Sequence, residues 1–511
     1  MRALSLCFFL VLTLTAAAQR SYGDSILRRL QVPDAPVRLT VVADTVRNRI
    51  PFRDVHFVVG PGDTASATLV QAAGAPLRKP LILFQHWGGG NRHYFDAEME
   101  AFAARGFLCL SLDAPWHWPS ADSTADPLRA YPDNIQRSVR AITRFLNWTR
   151  SQRALIDPDR IYYIGHSYGA TLGGLLLPAE PRIRAAVFMA GLPSLSRSME
   201  EDPLGAWKTT KEKKRGIYDT AVYRLSLMEP EHLVRLANAR IYYQAAANDQ
   251  YIVRRHSEEY IRAIGPARTS WYATDHLFKS DSALKDRIAW LLVQDTVTAK
   301  AAREGRRLLE QAAAKLGMRN SGPTLRQHWM GELTFYDTAG KATSRWEQQW
   351  YLHLPDTVRV RSRHTEAYLP LLPSLELTPA GGVRPRSGRP IDSASFALER
   401  RIYYLYWLSL CGPALQLPGT QVHRQRNISF STESIRVVQR SWPPVVIEID
   451  RKRGLPVALH FEDADTAQRL VLRPGEWIGT PQGMRPRLLR IHRGPGERLL
   501  RSIRIDSLTR L

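Results

Sequence analysis

Ser167 lies within Gly165-His166-Ser167-Tyr168-Gly169, after a β-rich stretch, Arg160–Ile164, and before a run of small and apolar residues, Ala170–Leu177. Strand, Gly-x-Ser-x-Gly, helix is the arrangement that lifts a serine onto a sharp turn. There the chain runs too close to its neighbours for a side chain at either glycine. A serine hydroxyl is a weak nucleophile at neutral pH. It needs a histidine to take its proton and a carboxylate to orient that histidine. On a doubly wound sheet the chain order is Ser, then Asp or Glu, then His. Asp249 follows the β-rich stretch Arg240–Gln244, 82 positions after Ser167, and His276 follows Thr269–Tyr272, 27 positions later. Both fall just past the carboxyl ends of predicted strands, where ligand-facing loops emerge. Asp275 is a rival acid, but adjacent side chains diverge, so Asp249 is the preferred partner. The three residues point to acyl transfer, with Ser167 as nucleophile, His276 as base and Asp249 as the orienting acid.

Acyl transfer also needs N–H donors for the oxyanion that forms on the carbonyl oxygen. The backbone N–H of Tyr168, directly after the nucleophile, is one. The other is expected from a loop after an earlier strand. His86-Trp87-Gly88-Gly89-Gly90 follows the apolar stretch Leu81–Gln85 and fits, with the N–H of Trp87 or of Gly88 as donor. The sequence does not choose between them.

Positioning these groups takes a particular framework. Residues 36–70 read as antiparallel strands: Val37–Val42, Val55–Val59 and Ala67–Gln71. Strand and helix signals then alternate: Pro80–Gln85, a helix from Glu98 to Arg105, Phe107–Leu112, and an amphipathic helix from Asp133 to Gln152. The nucleophile strand, Ala185–Met189 and Arg240–Gln244 follow. Strands separated by helices imply a mostly parallel sheet covered on both faces. A Lys/Glu-rich insertion at 192–236 is either a cap over the site or a set of surface helices. Near residue 297 the pattern changes to a helix, Thr298–Leu316, and then to short alternating segments. These are Gly331–Tyr336, Ser344–Leu352, Asp356–Arg363, Ile435–Arg440, Val445–Ile449, Val457–Phe461 and Leu499–Ile505. Period-two alternation with turns between is an antiparallel signature. The apolar stretch Ile402–Leu417 contains Pro413 and is short for a membrane span, so it is expected to be a packed helix.

Residues 50–295 resemble an α/β-hydrolase of the dienelactone hydrolase, acetyl xylan esterase and prolyl oligopeptidase branch. The matching stretches are Phe84–Gly90, Asp113-Ala114-Pro115-Trp116-His117, Asp157–Ile161 leading into Gly165–Gly169, Asn248-Asp249 and His276. The resemblance implies Ser167, Asp249 and His276 as the triad. Trp87 departs from it, standing where the family usually has glycine. Residues 300–511 resemble the half-open β-barrel of outer-membrane lipoprotein carriers, through Lys315-Leu316-Gly317, the repeated strands and the turn Arg453–Val457. The expected fold is a doubly wound α/β-hydrolase sheet followed by a mainly antiparallel β domain. The expected organisation is a signal peptide at 1–18, the first domain at 19–296 with its insertion at 192–236, and the second at 297–511.

The remaining features narrow the function. Arg2, the apolar run Ala3–Thr15 and Ala16-Ala17-Ala18 have the form of a cleavable export signal, which places the mature chain in the periplasm or outside the cell. Beyond it only Cys109 and Cys411 remain, so neither a disulfide framework nor zinc-ligand spacing is present, and no cofactor is implied. Net charge is +23, and residues 301–511 carry 33 basic against 19 acidic side chains. These arginines are scattered along strands, which argues against specific nucleic-acid binding and leaves loose attraction to an anionic envelope surface. A small-molecule ester is the expected substrate, since a peptidase of this branch carries a large propeller upstream. The alternatives are a lipid- or lipoprotein-handling envelope protein that uses the C-terminal β domain, or a peptidase of the same hydrolase branch.

Overall fold

The computed structural model describes residues 26, 30, 37–72, 78–149, 152, 155–202, 204–205, 207–362, 375–379, 381–383, 390–417, 420–425, 429–439, 442–461, 469–480, 483–494 and 497–510. The export signal expected at 1–18 lies outside them. The chain divides into two compact units, Met1–Ala299 and Lys300–Leu511.

The first unit is built on nine strands: β1 (Thr40–Arg47), β2 (Ile50–Gly60), β3 (Asp63–Gln71), β4 (Lys79–Gln85), β5 (Leu108–Leu112), β6 (Ile156–His166), β7 (Ile183–Met189), β8 (Arg240–Ala246) and β9 (Arg268–Tyr272). Their spatial order is β1-β2-β3-β5-β4-β6-β7-β8-β9. The hairpins β1–β2–β3 and the β3–β5 pair are antiparallel, and every pair from β5 to β9 is parallel. The central strands are apolar on both faces because both are covered. Leu81 and Leu83 of β4 join one core with the helices Pro127–Trp148 and Tyr168–Ala179, while Ile82 and Phe84 join another with Asp96–Ala103. Tyr163 and Tyr162 of β6 alternate in the same way. This is the period-two burial of a parallel sheet between two helical layers.

Two helices differ from their sequence outlines. The one expected from Asp133 begins at Pro127, because Asp126 caps it by accepting from the N–H groups of Leu128 and Arg129 at 3.0 and 3.2 Å. Pro132 sits inside it and has no N–H to donate to the carbonyl of Leu128. The helix expected at Thr298–Leu316 begins earlier and runs as one element, Asp281–Lys315. The β-branched residues Val293, Thr296 and Val297 weaken its middle, but Asp295 is held there by the Arg160 guanidinium at 2.8 and 2.6 Å and by Tyr162 Oη at 2.8 Å. Tertiary contact overrides local propensity.

The second unit is a twelve-stranded antiparallel sheet, β10 (Leu325–Tyr336), β11 (Ala342–Leu354), β12 (Thr357–Ser362), β13 (Leu375–Thr378), β14 (Gly381–Val383), β15 (Gln421–Gln425), β16 (Thr432–Gln439), β17 (Trp442–Asp450), β18 (Pro456–Phe461), β19 (Leu470–Thr480), β20 (Gly483–Arg493) and β21 (Arg498–Arg510). Its order runs β14-β13-β12-β11-β10-β21-β20-β19-β18-β17-β16-β15, open at both ends rather than closed into a barrel. The apolar stretch at 402–417 forms the helices Ser393–Ser409 and Gly412–Gln416. Tyr404, Tyr406, Trp407 and Leu408 from it are buried in one core with Trp329, Trp350 and Ile447 of the sheet. Among the described residues no helix is long and apolar enough to cross a membrane.

Candidate active site

The parallel half of the first sheet delivers four chain segments to one edge. β4 pairs with β6 in a register that sets Gln85 against Gly165, so the loop beginning at His86 and the turn at Ser167 emerge side by side. Ser167 has φ 52° and ψ −105°, a left-handed backbone for a residue with a side chain. The turn is held by Ser167 N–H donating to Met189 O at 2.7 Å and Thr171 N–H donating to Ser167 O at 2.9 Å. Its glycines are sterically required. A Cβ at Gly165 would stand 2.5 Å from the Gly169 backbone, and one at Gly169 would stand 2.1 Å from Gln85 O. Real Cβ atoms do not approach backbone so closely, and both positions must be bare for the helix Tyr168–Ala179 to start against β4.

Asp249 leaves the end of β8 and His276 the end of β9. His276 Nε2 lies 2.9 Å from Ser167 Oγ, and its Nδ1 lies 2.8 Å from Asp249 Oδ2. A carboxylate only accepts, so Nδ1 carries a proton towards Asp249 and Nε2 presents a lone pair to the serine hydroxyl. The other oxygen of Asp249, Oδ1, accepts from the N–H groups of Tyr251 and Ile252, both at 2.8 Å. Asp275 turns away: it is exposed and accepts from Leu277 N–H at 3.0 Å.

The loop after β4 is pinned from both ends. His86 Nε2 accepts from Ala114 N–H at 3.1 Å, which leaves Nδ1 as the protonated nitrogen, donating to Trp87 O at 2.6 Å. Burial pushes this imidazole down to a pKa of about 4, so it stays in the neutral tautomer that this pair of bonds requires. Further along, Asp113 accepts from Arg92 N–H at 2.7 Å, from the Arg92 guanidinium at 2.8 Å and from Ser66 Oγ at 2.6 Å. Trp87 folds its indole back over Gly89 and Gly90, with its ring 6.4 Å from that of His276. Tyr251 covers His276 from another direction at 4.9 Å.

The sequence reading missed two supports. His166, inside the pentapeptide, donates from Nε2 to His276 O at 2.7 Å and stacks on Tyr94 at 5.4 Å. Burial holds it well below the usual histidine range, so it is neutral. Its signal was present in the motif, but nothing in the pattern distinguishes a supporting x residue from a filler. The second is the wall of a cavity of about 910 Å³ that opens beside Ser167, Tyr168 and Gly88. The 192–236 insertion, left open as cap or surface helices, supplies part of that wall through Leu192, Leu195, Trp207 and Lys213. It is anchored by Glu229, whose carboxylate accepts from the N–H groups of Leu195 and Ser196 at 2.7 and 3.1 Å. Gly88, Ser167 and Tyr168 all line the cavity, and Trp87 is not among its described lining residues.

Residues 80–326 match the family model described as the alpha/beta hydrolase fold. The first unit has the α/β-hydrolase fold. No curated protein matches the chain. Among solved structures, the α/β-hydrolase domain is similar to the acetyl xylan esterase from Paenibacillus sp. R4 (18% identity, covering 55% of this chain and 93% of that one, TM-score 0.45). It is likewise similar to acetyl xylan esterase 1 from Thermoanaerobacterium sp. (14% identity, 54% and 93% covered, TM-score 0.45). A prolyl endopeptidase matches at 16% identity, covering 49% of this chain and 39% of that one, with a TM-score of 0.40.

Proposed function

We propose that the α/β-hydrolase domain is an exported serine hydrolase of carboxylic esters, acting through an acyl-Ser167 intermediate. The observation that carries this reading is the unbroken relay Ser167 Oγ–His276–Asp249, at 2.9 and 2.8 Å, with the serine raised on a left-handed turn. His276 Nε2 takes the hydroxyl proton as Oγ attacks the ester carbonyl. Asp249 stabilises the imidazolium that forms and does not itself take the proton. The carbonyl oxygen becomes an oxyanion, met by the N–H of Tyr168 at the first turn of its helix and by that of Gly88 across the cavity mouth. His276 then returns the proton to the leaving alcohol, and the acyl group remains on Oγ. Water, deprotonated by His276 in the same way, releases the acid and restores the serine.

His86, Arg92 with Asp113, and His166 act as positioning residues in this scheme. The first pair fix the loop that carries Gly88, and His166 fixes the backbone that carries His276. Export rests on the leader-like residues at 1–18, and the basic surface suits retention near an anionic envelope. Among the described residues of the second unit, the aromatic helix shares one buried core with the sheet, which weighs against lipid carriage.

The test is hydrolysis of p-nitrophenyl acetate with a fluorophosphonate label mapped by mass spectrometry. Ser167→Ala is expected to lose about 10⁴-fold or more in kcat and all labelling. Equal turnover by the two proteins, or a label on another residue, would remove Ser167 from the mechanism.

A further inference from the structure

The space around Ser167 is unequal on its two sides. In acyl transfer the alcohol departs towards the base that protonates it, the carbonyl oxygen faces the N–H donors, and the acid's substituent takes the remaining direction. Here the base side is hemmed in by Trp87 and Tyr251, with ring centroids 6.4 and 4.9 Å from His276. The cavity beside Ser167 is lined by residues that include Gly88, Tyr168 and Thr171 but not His276, Trp87 or Tyr251. The acid half of the ester is therefore the half with room.

That room is about 910 Å³. It lies near the upper end of the roughly 300–1,000 Å³ that encloses a whole drug-sized ligand, and far exceeds what an acetyl group fills. The wall also differs from a slot for an alkyl chain. Trp116, Tyr131 and Trp207 line it, and Trp116 is braced edge-on against Tyr168 at 5.0 Å. Polar groups stand among these rings: Thr210, Lys213, and the hydroxyl of Tyr131, which makes no hydrogen bond to protein among the described residues. Aromatic rings with polar groups beside them suit a flat or puckered ring that carries hydroxyls.

We infer that the site takes esters whose acid half bears a hydroxylated six-membered ring, held by Trp116 and Trp207 and hydrogen-bonded by Tyr131. The inference rests on the hydrolase reading above. Two sources share this chemistry, a hydroxyaryl acid and a sugar uronic acid.

Methyl esters keep the alcohol constant and let the acid vary: methyl acetate, methyl octanoate, methyl 4-hydroxycinnamate and methyl glucuronate, each followed by acid release in a pH-stat. One ring ester is expected to exceed both acetate and octanoate by about tenfold or more in kcat/KM. A preference for hydroxycinnamate identifies the aryl source, and a preference for glucuronate the sugar source. Trp207→Ala, on the insertion and therefore a mild test of folding, and Tyr131→Phe should each cut the ring-to-acetate ratio by about three- to tenfold. Acetate or octanoate turned over as well as both ring esters would overturn the inference, as would a ring preference unchanged in both variants. In either case, loss of all turnover in Ser167→Ala would show that the hydrolase reading stands while the pocket assignment fails. A wild type inert towards all four esters, or a Ser167→Ala variant as active as wild type, would bring down both.

Discussion

The parallel strands β4 to β9 release their carboxyl ends at one edge of the first sheet, whereas the antiparallel strands of the second release consecutive ends at opposite edges. The first topology carries residues as far apart as His86 and His276 to one place without any long excursion of the chain. Strain collects there too, in the left-handed Ser167 and in neutral histidines enclosed by protein. Among its described residues the second sheet gathers no comparable cluster. Its buried ions are matched within the fold, as in Arg501, which donates to both oxygens of Glu399 at 2.7 and 2.8 Å. Its apolar face is filled by its own helix. One sheet collects chemistry at an edge, and the other invests its side chains in packing.

The sharpest way to break that contrast is to damage the edge alone. In Asp249→Asn, the Asn amide can still touch His276 Nδ1 but favours the wrong tautomer, so kcat on p-nitrophenyl acetate should fall about 10⁴-fold. Asp275→Asn keeps a side-chain oxygen that can accept from Leu277 N–H, loses only an exposed charge and should stay within a few-fold of wild type. Comparable losses in both variants would mean that the acid was misassigned.

The converse experiment strikes the second sheet. Trp407 is fully buried, and its Nε1 donates to Pro323 O at 3.2 Å. Trp407→Ala should cost about 3–5 kcal/mol in urea unfolding of this unit, from lost burial and the cavity left behind. Hydrolysis by the folded protein should remain within about twofold. A kcat loss approaching that of Asp249→Asn would end the separation of roles.

The same contrast governs what could be read from the sequence. The first sheet was legible because each buried strand is a short apolar run, and because glycines, Asp249 and His276 fall at strand ends. Helix limits were less so: Pro132 reads as a breaker, yet it lies inside the helix Pro127–Trp148. In the second unit β19 and β20 escaped notice because Pro474-Gly475 and Pro486 look like turns. They are nonetheless paired in register, Pro474 with Leu489 and Pro486 with Trp477. The cavity wall was not legible, because it depends on where the polar insertion docks. No local pattern in 192–236 encodes that.

Acid should probe both sheets. His86 has a pKa near 4 in the folded chain against 6.5 for an ordinary histidine, so between those values the unfolded chain takes up a proton that the native site refuses. The stability tied to its neutrality is complete above pH 6.5 and lost as pH falls towards 4, about 3 kcal/mol for this one group. His460 in the second sheet is also lowered to about 4 by burial and runs in the same direction. Urea midpoints measured from pH 7 to 4 should fall for wild type. His86→Gln should flatten the transition that follows loss of hydrolysis, and His460→Gln the transition of the other unit. A pH-independent midpoint over this range would show that neither histidine is held neutral.

The smallest effects separate neighbouring glycines in the loop after β4. A Cβ at Gly88 meets nothing within 4 Å, while one at Gly89 would lie 2.5 Å from the Trp87 indole. Gly88→Ala should therefore leave stability within about 0.5 kcal/mol of wild type, aided by the restricted unfolded chain. Because Gly88 lines the cavity beside Ser167, its cost should appear as a narrower choice of acid group. Gly89→Ala must instead push the indole off its seat, at about 1 kcal/mol, and open the side of His276 that Trp87 covers. Its signature should be relaxed selectivity for the alcohol, read as kcat/KM for methyl against benzyl acetate. If Gly88→Ala altered alcohol preference and Gly89→Ala altered acid preference, the two halves of the ester would have to be exchanged across Ser167.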